Sequence, residues 1–468
     1  MNFQLPHRTV QKDRFAALFL VVAFVLAGWK IAGRPPAENF ATVKQPTAAS
    51  TNARHAAPET PVTASQPPPK LSADRRFRVD AGFVSSTPGE AVHAASVVEL
   101  RDGGLRAVWF SGSREGAADV AIKSAVMDAK SLRWSAESTL FERKRLQRGL
   151  WRYVKKIGNP VIARAPDGSL MLWMVNVSLG GWAGSSITWA RSGDEGASWS
   201  DPARLVTSPF LNISTLVKGA PVFYRNGEIG LPVYHEFVSK FAEILRISPE
   251  GKILDKTRIP GSQASLQPVL LVADPEHAQI YMRSGRATAL MTSATDDAGK
   301  TWSVTHAASW PNPDSALAGV VTATGQQWLA LNPDSKNREI LALLHTHAGG
   351  SFDGVKPWVV ESSATPQTRL SISDYERVLD EELKAGGASG AQARAYIASA
   401  RRQLCGAETC SQEFSYPYLL QSRDGYLHLV YTWHRSRIKH VRLDPLLVLQ
   451  VPQTVPVAPV SINHAPAN

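Results

Sequence analysis

An eight-residue pattern occurs twice in the chain and constrains its fold more than any other feature. Ser192–Trp199 and Thr295–Trp302 both read hydroxyl, any residue, Asp, any residue, Gly, any residue, hydroxyl, Trp. In such a segment the Asp can accept hydrogen bonds from turn amides, the Gly supplies a positive φ, and the Trp packs the turn onto a sheet. Two clean copies indicate repeated β units, and weaker copies end at Trp134 and Phe352. The pattern is structural and is not in itself catalytic.

Short apolar segments joined by tight turns fill most of the remaining chain. Four such turns are Asp102-Gly103, Asp167-Gly168, Asn226-Gly227 and Asp424-Gly425. Asp-Gly and Asn-Gly between apolar segments favour β-hairpins. Antiparallel hairpins that recur at intervals of about 50–70 residues predict an all-β, radially repeated fold, a β-propeller.

One segment departs from the hairpin pattern. Residues 371–404 carry apolar residues at helical spacing followed by an Ala-rich part, with Ser373 as a candidate N-cap. The segment predicts a helical insertion, which either covers a site or is passive. Cys405 and Cys410 follow it and are the two cysteines of the chain. They form either a disulfide in an oxidising compartment or two free thiols, and their spacing does not favour zinc.

The N-terminal region predicts a targeting segment. Residues 1–14 include four basic side chains, and the apolar residues 15–33 are numerous enough to enter a bilayer. This segment is either an uncleaved signal anchor, which we favour, or a signal peptide cleaved after Ala27. The basic flank places the rest of the chain in the periplasm or outside the cell.

Composition then divides the remaining chain into three parts. Residues 34–75 are rich in Pro, Ala, Ser and Thr, which predicts a linker. A folded domain is expected over residues 76–450, and residues 451–468 read as a disordered, Pro-rich tail.

The charge of the chain favours acidic small molecules over nucleic acids. The 51 Lys and Arg exceed the 40 Asp and Glu by 11, but they are scattered and form no basic run interleaved with aromatic residues. Nucleic-acid binding is therefore not expected, whereas a basic cleft for an acidic ligand is. No pattern in the sequence predicts a metal or another cofactor.

The two Asp-containing turns, or Asp boxes, together with the surrounding hairpins, resemble the bacterial sialidase (neuraminidase) superfamily, and within it the BNR-repeat-like branch. The resemblance covers roughly residues 80–445 and implies a six-bladed β-propeller. It also implies a glycosidase with a tyrosine nucleophile, a glutamate and an aspartate for proton transfer, and three arginines that bind the substrate carboxylate.

The resemblance assigns several positions. Phe414-Ser415-Tyr416-Pro417 opens the last hairpin and matches the setting of the nucleophile, which implies that Tyr416 has that role. Arg338, six residues after Asn332, and Arg283, ahead of the second Asp box, match two of the three arginines. Near the first blade, Arg114 and Glu115 resemble the segment that follows the first arginine motif.

The departures from the family pattern are equally specific. The first arginine motif has no counterpart, and its place is taken by Val92-His93-Ala94-Ala95-Ser96. The acid/base aspartate aligns with Asn159, and the glutamate that activates the tyrosine aligns with Gln267. An amide neither accepts the phenol proton nor acts as a general acid, so ordinary sialoside hydrolysis requires other groups.

Other side chains at hairpin ends are candidates to replace the two carboxylates. Glu115 and Glu236 are proposed for proton transfer, and His93 is an alternative proton carrier at neutral pH. Lys218 and Arg435 join Arg114, Arg283, Arg338, Asn159 and Gln267 as predicted substrate-binding residues.

Three functions remain open from the sequence. The first is an extracytoplasmic, membrane-tethered, sialidase-like glycosidase that acts on a glycan with an acidic or polar sugar. The second is a polysaccharide lyase on uronate-containing chains, which needs a Tyr or His base and a cation but no paired carboxylates. The third is a propeller that binds glycans without catalysis.

Overall fold

The described residues divide into two units along the chain. The computed structural model of the chain describes residues 15–26, 38–42, 80–208, 212–286, 288–334, 336–363 and 369–448. The boundary between the units falls after Glu38.

The first unit contributes helix α1, residues 15–26. No described helix has both the length and the apolar character needed to cross a membrane. Residues 27–33 of the predicted membrane segment, and the predicted tail 451–468, lie outside the described residues.

The second unit is a ring of six antiparallel sheets, a β-propeller, as predicted. Blade 1 consists of β2 (Ala91–Glu99), β3 (Leu105–Gly112), β4 (Ala121–Met127) and β5 (Ser138–Glu142). Blade 2 consists of β6 (Lys156–Arg164), β7 (Leu170–Val177), β8 (Ser185–Ser192) and β9 (Ala203–Arg204). Blade 3 consists of β10 (Leu216–Val217) and β11 (Val222–Phe223), which both pair with β12 (Ile229–His235), followed by β13 (Phe241–Ile247) and β14 (Ile253–Arg258).

The other three blades follow the same order from the inside of the ring to the outside. Blade 4 consists of β15 (Ser265–Val272), β16 (Ala278–Ser284), β17 (Ala289–Thr295) and β18 (His306–Pro311). Blade 5 consists of β19 (Ala318–Val321), β20 (Gln326–Leu331), β21 (Ile340–His347) and β22 (Trp358–Ser362). Blade 6 consists of β25 (Phe414–Gln421), β26 (Leu427–Trp433), β27 (Arg437–Leu443) and β1 (Asp80–Phe83). The ring is closed by β1, which pairs with β27 so that Gly82 lies opposite His440.

The predicted hairpin turns and a set of buried aromatic residues explain why the chain forms these blades. Four glycines of the predicted turns have positive φ and join the first and second strands of blades 1, 2, 3 and 6: Gly103, Gly168, Gly227 and Gly425. Four tryptophans on second strands are at most 1% exposed: Trp109, Trp173, Trp328 and Trp433. The core therefore lies between neighbouring blades, where each sheet buries both faces.

Both clean Asp boxes join the third and fourth strands of a blade, in blades 2 and 4. Asp297 accepts hydrogen bonds from the amide and the hydroxyl of Thr301, at 2.9 and 2.6 Å, and Gly299 has a φ of +84°. Asp194 makes the equivalent bonds to Ser198, which lower the pKa of Asp194 to about 2. The boxes therefore define turns, as predicted, and they lie on one face of the ring, which we call the Asp-box face.

The helical insertion forms two helices outside blades 5 and 6, α3 (Ile372–Ala385) and α4 (Gly390–Leu404). The N-cap of α3 is Ser371 and not Ser373, because the Ser371 hydroxyl accepts from the amide of Asp374. The short strands β23 (Leu370–Ser371) and β24 (Thr409–Cys410) pair beside the helices. Cys405 and Cys410 form a disulfide, which decides between the two alternatives left by the sequence. Two further helices are α2 (Arg143–Leu150) and α5 (Pro445–Val448), and Trp182–Gly184 form a 3₁₀ turn.

Part of the predicted linker is packed onto the propeller, which the sequence did not indicate. Phe40 is fully buried, and its ring stacks on Tyr224 of blade 3 with ring centroids 5.2 Å apart. Its amide donates to the carbonyl of Pro275 in blade 4, and the Ala41 amide donates to that of Phe223, both at 2.8 Å. Residues 39–42 therefore bridge blades 3 and 4 on the Asp-box face.

We expect Phe40→Ala to destabilise the propeller by roughly 3 kcal/mol, because truncation of a buried phenylalanine leaves a cavity. Urea unfolding of the full chain measures the change. The matched control is Thr42→Ala, a half-buried residue in the same segment, which should cost less than about 0.5 kcal/mol. Equal stabilities of the two variants would show that the segment does not support the ring.

Candidate active site

The innermost strands of four blades share an irregularity close to their first residues. The pairing register shifts after His93, Gly158, Leu266 and Ser415. The next residue in each case has a positive φ: Ala94 (+56°), Asn159 (+41°), Gln267 (+49°) and Tyr416 (+53°). Each such conformation costs about 1–3 kcal/mol for a residue other than glycine and is typical of functional sites. The four β-bulges therefore mark one end of the propeller axis, opposite the Asp-box face.

Three of the bulges continue with a proline, namely Pro160, Pro268 and Pro417. A proline has no N–H, so the ladder loses no donor where the pairing is interrupted. The side chains of Asn159, Gln267 and Tyr416 are then free to contact residues of other blades.

The Tyr416 hydroxyl is the centre of this end of the axis. Its oxygen accepts hydrogen bonds from Gln267 Nε2 at 3.0 Å and from Arg283 Nη1 at 3.1 Å. Arg283 Nη1 also donates to Gln267 Oε1 at 3.0 Å, which closes a triangle of three side chains. Two donors stabilise negative charge on the phenol oxygen, but neither can accept its proton.

Arg283 is connected to a second arginine through Asp314. Arg283 Nε donates to Asp314 Oδ1 at 2.6 Å, and Arg338 Nη2 donates to the backbone carbonyl of Asp314 at 2.8 Å. Asp314 itself has a φ of +52°. The two predicted carboxylate-binding arginines are therefore held by the same residue.

A third arginine is connected to Arg338 through the buried carboxylate of Glu413. Glu413 accepts from Arg338 Nη1 at 3.3 Å and from Arg435 Nε at 3.1 Å, and Arg435 Nη1 reaches Glu115 at 3.2 Å. Burial would raise the pKa of Glu413, but the charges of Arg435 and Arg338 outweigh it and hold this pKa below its usual value. We call Arg283, Arg338 and Arg435 the arginine arc. Its guanidiniums retain N–H groups for a ligand, because each has five donors.

A second tyrosine lies beside Tyr416. The Tyr234 hydroxyl accepts from Asn159 Nδ2 at 3.2 Å, and the residue is 2% exposed. Burial, followed by the charges of Tyr416 and Glu236, raises the pKa of Tyr234 well above its usual value. Tyr234 is therefore a neutral hydrogen-bonding group at physiological pH.

Glu236 follows Tyr234 by two residues and is half-buried at the same end of the axis. Its amide donates to the Ser214 hydroxyl at 2.8 Å. Burial raises the pKa of its carboxyl group above the usual value, although Lys240 and Arg283 oppose this. A carboxyl with a raised pKa is suited to act as a general acid.

His93 packs against the nucleophile candidate from blade 1. Its ring centroid lies 4.0 Å from that of Tyr416, and its Nδ1 lies 2.9 Å from the Thr432 hydroxyl. Burial and then the positive charges of Arg435 and Arg338 lower the pKa of His93 well below its usual value. The imidazole is therefore neutral, and a role as proton donor at neutral pH is not favoured.

Two predicted substrate-binding residues, Lys218 and Arg114, make no hydrogen bond or ion pair with the arginine arc in the described structure. Lys218 is 2% exposed and lies behind the Tyr416 ring, with its Nζ 5.8 Å from the ring centroid. Arg114 is exposed and makes no ion pair or side-chain hydrogen bond with the residues that the structure describes. The described residues also contain no cluster of His, Cys, Asp or Glu side chains that is suited to hold a metal ion.

The sequence reasoning did not assign Glu413 and Tyr234 to the site. Both were visible in the sequence: Glu413 immediately precedes the strand that carries Tyr416, and Tyr234 lies at a hairpin end two residues before Glu236. Position at the end of an inner strand was the signal that could have identified them.

The BNR repeat-like domain model matches residues 103–429. The chain belongs to this family. The match covers most of the propeller, and it confirms the predicted BNR-repeat-like branch of the sialidase superfamily. The comparison with curated proteins finds no match.

Solved structures share the fold of this BNR-repeat propeller at low sequence identity. They include the Hadza microbial sialidase Hz136, with a TM-score of 0.57, 14% identity, and 76% of this chain and 66% of that chain covered. A Dyadobacter fermentans protein of unknown function has a TM-score of 0.57 and 11% identity, and the match covers 78% of this chain and 99% of that chain. The intramolecular trans-sialidase from Ruminococcus gnavus, in complex with oseltamivir carboxylate, has a TM-score of 0.54, 11% identity, and 79% and 97% covered. At these identities the likeness shows the six-bladed fold.

Proposed function

We propose that this protein is a glycoside hydrolase that acts on a glycan with an acidic sugar, with Tyr416 as the nucleophile. The observation that carries the proposal is the Tyr416 hydroxyl, held by Gln267 and Arg283 at the axis beside the arginine arc. A glycan is the proposed partner because the structural neighbours include sialidases. Location in the periplasm or outside the cell, with attachment through residues 15–33, remains part of the proposal and rests on the sequence alone.

The arginine arc provides the substrate site. Arg338 and Arg435 have 20% and 23% of their side chains exposed, so they can reach a ligand while Glu413 fixes their orientation. Planar guanidiniums held in this way suit a sugar carboxylate. Asn159 and Gln267 provide amide groups next to the same space.

The chemical steps follow from the donors around Tyr416. The proton of its hydroxyl passes to water, because neither Gln267 nor Arg283 accepts it, and the resulting phenolate attacks the anomeric carbon. The bond between this carbon and the leaving oxygen breaks, and Glu236 gives its proton to that oxygen. Water then hydrolyses the bond to Tyr416, with the Glu236 carboxylate as base.

The direct test is incubation of the purified full chain with sialosides, with glycosides of other acidic sugars and with uronate polysaccharides. Release of a free acidic sugar from one of the first two classes is the expected result. Binding without product from any of the three classes would contradict the proposal and favour a glycan-binding protein.

One observation favours a uronate lyase as the second candidate. The partners of the Tyr416 hydroxyl are the Gln267 amide and the Arg283 guanidinium, and neither is a carboxylate. A lyase requires a tyrosine base and a cation at the uronate carboxylate, but no carboxylate beside the tyrosine. An ultraviolet-absorbing unsaturated product from uronate chains, without hydrolysis, would identify this reaction.

We expect Glu236→Gln to lower kcat by about 10²-fold or more, because the amide cannot give a proton to the leaving oxygen. The pH–rate profile should lose its basic limb, since that limb reports deprotonation of the acid. Glu115→Gln is the matched control, because Glu115 is 39% exposed at the rim and pairs with Arg435. A larger loss in Glu115→Gln than in Glu236→Gln would transfer the acid role to Glu115.

A further inference from the structure

Lys218 is a buried lysine for which the described residues provide no carboxylate partner. It lies in blade 3 between β10 and β11, where the inner strand is interrupted by Lys218-Gly219-Ala220-Pro221. Its Nζ donates to the backbone carbonyl of Pro417 at 3.0 Å and lies over the rings of Tyr416 and Tyr418, at 5.8 and 5.5 Å from their centroids. A buried ammonium without a counter-ion is costly, so its partners at the Tyr416 bulge require an explanation.

Gly219 makes a similar contact with a second bulge. A Cβ on Gly219 would lie 2.2 Å from the carbonyl oxygen of Pro268, closer than any side chain permits. The backbone of blade 3 therefore lies directly against the bulge that carries Gln267. Two consecutive residues thus contact both bulges whose side chains meet at the Tyr416 hydroxyl.

The surroundings of Lys218 make its charge sensitive to pH near neutrality. Burial lowers its pKa to about 7. The groups that face it are the phenols of Tyr416 and Tyr418, and the neutral imidazole of His93 lies within electrostatic reach. Tyr418 also lines an axial cavity of about 480 Å³ that opens on the Asp-box side.

Lys218, which is 2% exposed, is not among the residues that line that cavity. The lining of the cavity is largely aliphatic and includes one or more residues from the inner strand of every blade, such as Val97, Ile162, Val222, Leu270, Val320 and Leu420. Lys218 therefore has its hydrogen bond to Pro417 and the two ring faces as its polar contacts in the described structure.

We propose that Lys218 and Gly219 are the positioning element of the site: they hold the bulges of Tyr416 and Gln267 in register, and the charge of Lys218 stabilises negative charge on the Tyr416 oxygen. The geometric part stands on the contacts alone, and the electrostatic part rests on the proposed function of Tyr416 as the reacting group. Lys218 does not contact the substrate, so it acts through Tyr416.

The test measures Tyr416 without requiring a substrate. Nitration of Tyr416 by tetranitromethane, followed at the level of its peptide by mass spectrometry, reports the fraction of phenolate. In the unmodified protein the logarithm of the rate should rise with pH and bend near pH 7, where Lys218 loses its charge. In Lys218→Met the bend should disappear, and the nitration rate of Tyr416 below pH 7 should fall roughly tenfold. This is the size of effect expected when one positive charge a few ångströms from the phenolate is removed at an intermediate dielectric constant. Lys252→Met, an exposed lysine of the same blade, is the control.

The electrostatic and the geometric roles of Lys218 and Gly219 can each be overturned by a separate result. A rate profile of the unmodified protein without a bend near pH 7 overturns the electrostatic part, even if Lys218→Met does not fold. Gly219→Ala should displace Gln267 and change the nitration rate of Tyr416, and an unchanged rate overturns the geometric part. Should all glycans remain uncleaved, the proposed hydrolase fails while the nitration result still decides the role of Lys218. If hydrolysis occurs, Lys218→Met should lower kcat with little change in KM.

Discussion

Replacement of Tyr416 by phenylalanine is expected to lower the proposed glycan cleavage by roughly 10³-fold or more, because the hydroxyl that is proposed to form the covalent bond is lost. Phenylalanine keeps the ring that packs on His93 and under which Lys218 lies. The fold should therefore be retained, with a thermal midpoint within a few degrees of that of the unmodified protein. Product release from an acidic-sugar glycoside, measured at saturating substrate, checks the result.

The matched control for this variant is Tyr234→Phe. Tyr234 lies at the same end of the axis, and its hydroxyl accepts from Asn159 and makes no bond to the anomeric carbon in the proposed reaction. Its loss should lower activity far less than the loss of the Tyr416 hydroxyl. Equal losses in the two variants would mean that the tyrosines share the role, and full activity in Tyr416→Phe would exclude Tyr416 as the nucleophile.

The fold was predictable because its determinants are local. An Asp box is satisfied within eight residues, as the bonds from Thr301 to Asp297 show, and an Asp-Gly hairpin needs only the turn and its two strands. Ring closure and the packing of Phe40 were not predictable, because both depend on partners distant in sequence: β1 pairs with the last strand of the chain, and Phe40 stacks on Tyr224.

The site was partly predictable for a related reason. The step to a proline after Asn159, Gln267 and Tyr416 is local, and it marks the bulges that bring these side chains to the axis. The network around them is not local. The sequence does not identify Glu413 as the partner of two arginines. It predicts Lys218 as a substrate-binding residue, whereas the structure buries Lys218 behind Tyr416. Burial and charge pairing across blades require the closed ring.

The amide at Gln267 sets the chemical requirement of the site. Gln267 donates to the Tyr416 oxygen and accepts from Arg283, so Gln267 fixes the position of the phenol. Neither Gln267 nor Arg283 can accept the proton of the phenol. In place of a base, the positive charges of Arg283 and Lys218 can favour the phenolate form of Tyr416. This arrangement predicts a reaction that depends on electrostatic stabilisation more than on proton transfer to a neighbour.

The largest effect on stability is expected at Glu413, in the variant Glu413→Gln. This carboxylate is 7% exposed and holds Arg338 and Arg435. Its neutralisation leaves Arg338 without its counter-ion and Arg435 with Glu115 alone, and loss of one partner of a buried ion pair typically costs about 3–5 kcal/mol. The arginine arc should lose its orientation as well, so affinity for an acidic sugar should fall together with the free energy of unfolding. Urea unfolding at neutral pH and calorimetric binding measure the two losses.

The pH dependence of this loss distinguishes the ion pairs from simple packing. Because Arg435 and Arg338 hold the pKa of Glu413 below its value in the unfolded chain, about 4.3, the carboxylate stabilises the fold fully above that value. The contribution disappears as the pH falls through the lower, folded-state pKa. The difference between the unmodified protein and Glu413→Gln should therefore be constant near neutrality and shrink on acidification. Glu115→Gln, at the exposed end of the same network, should cost less than about 1 kcal/mol. A difference for Glu413→Gln that is independent of pH would mean that the side chain acts through its shape and not through its charge.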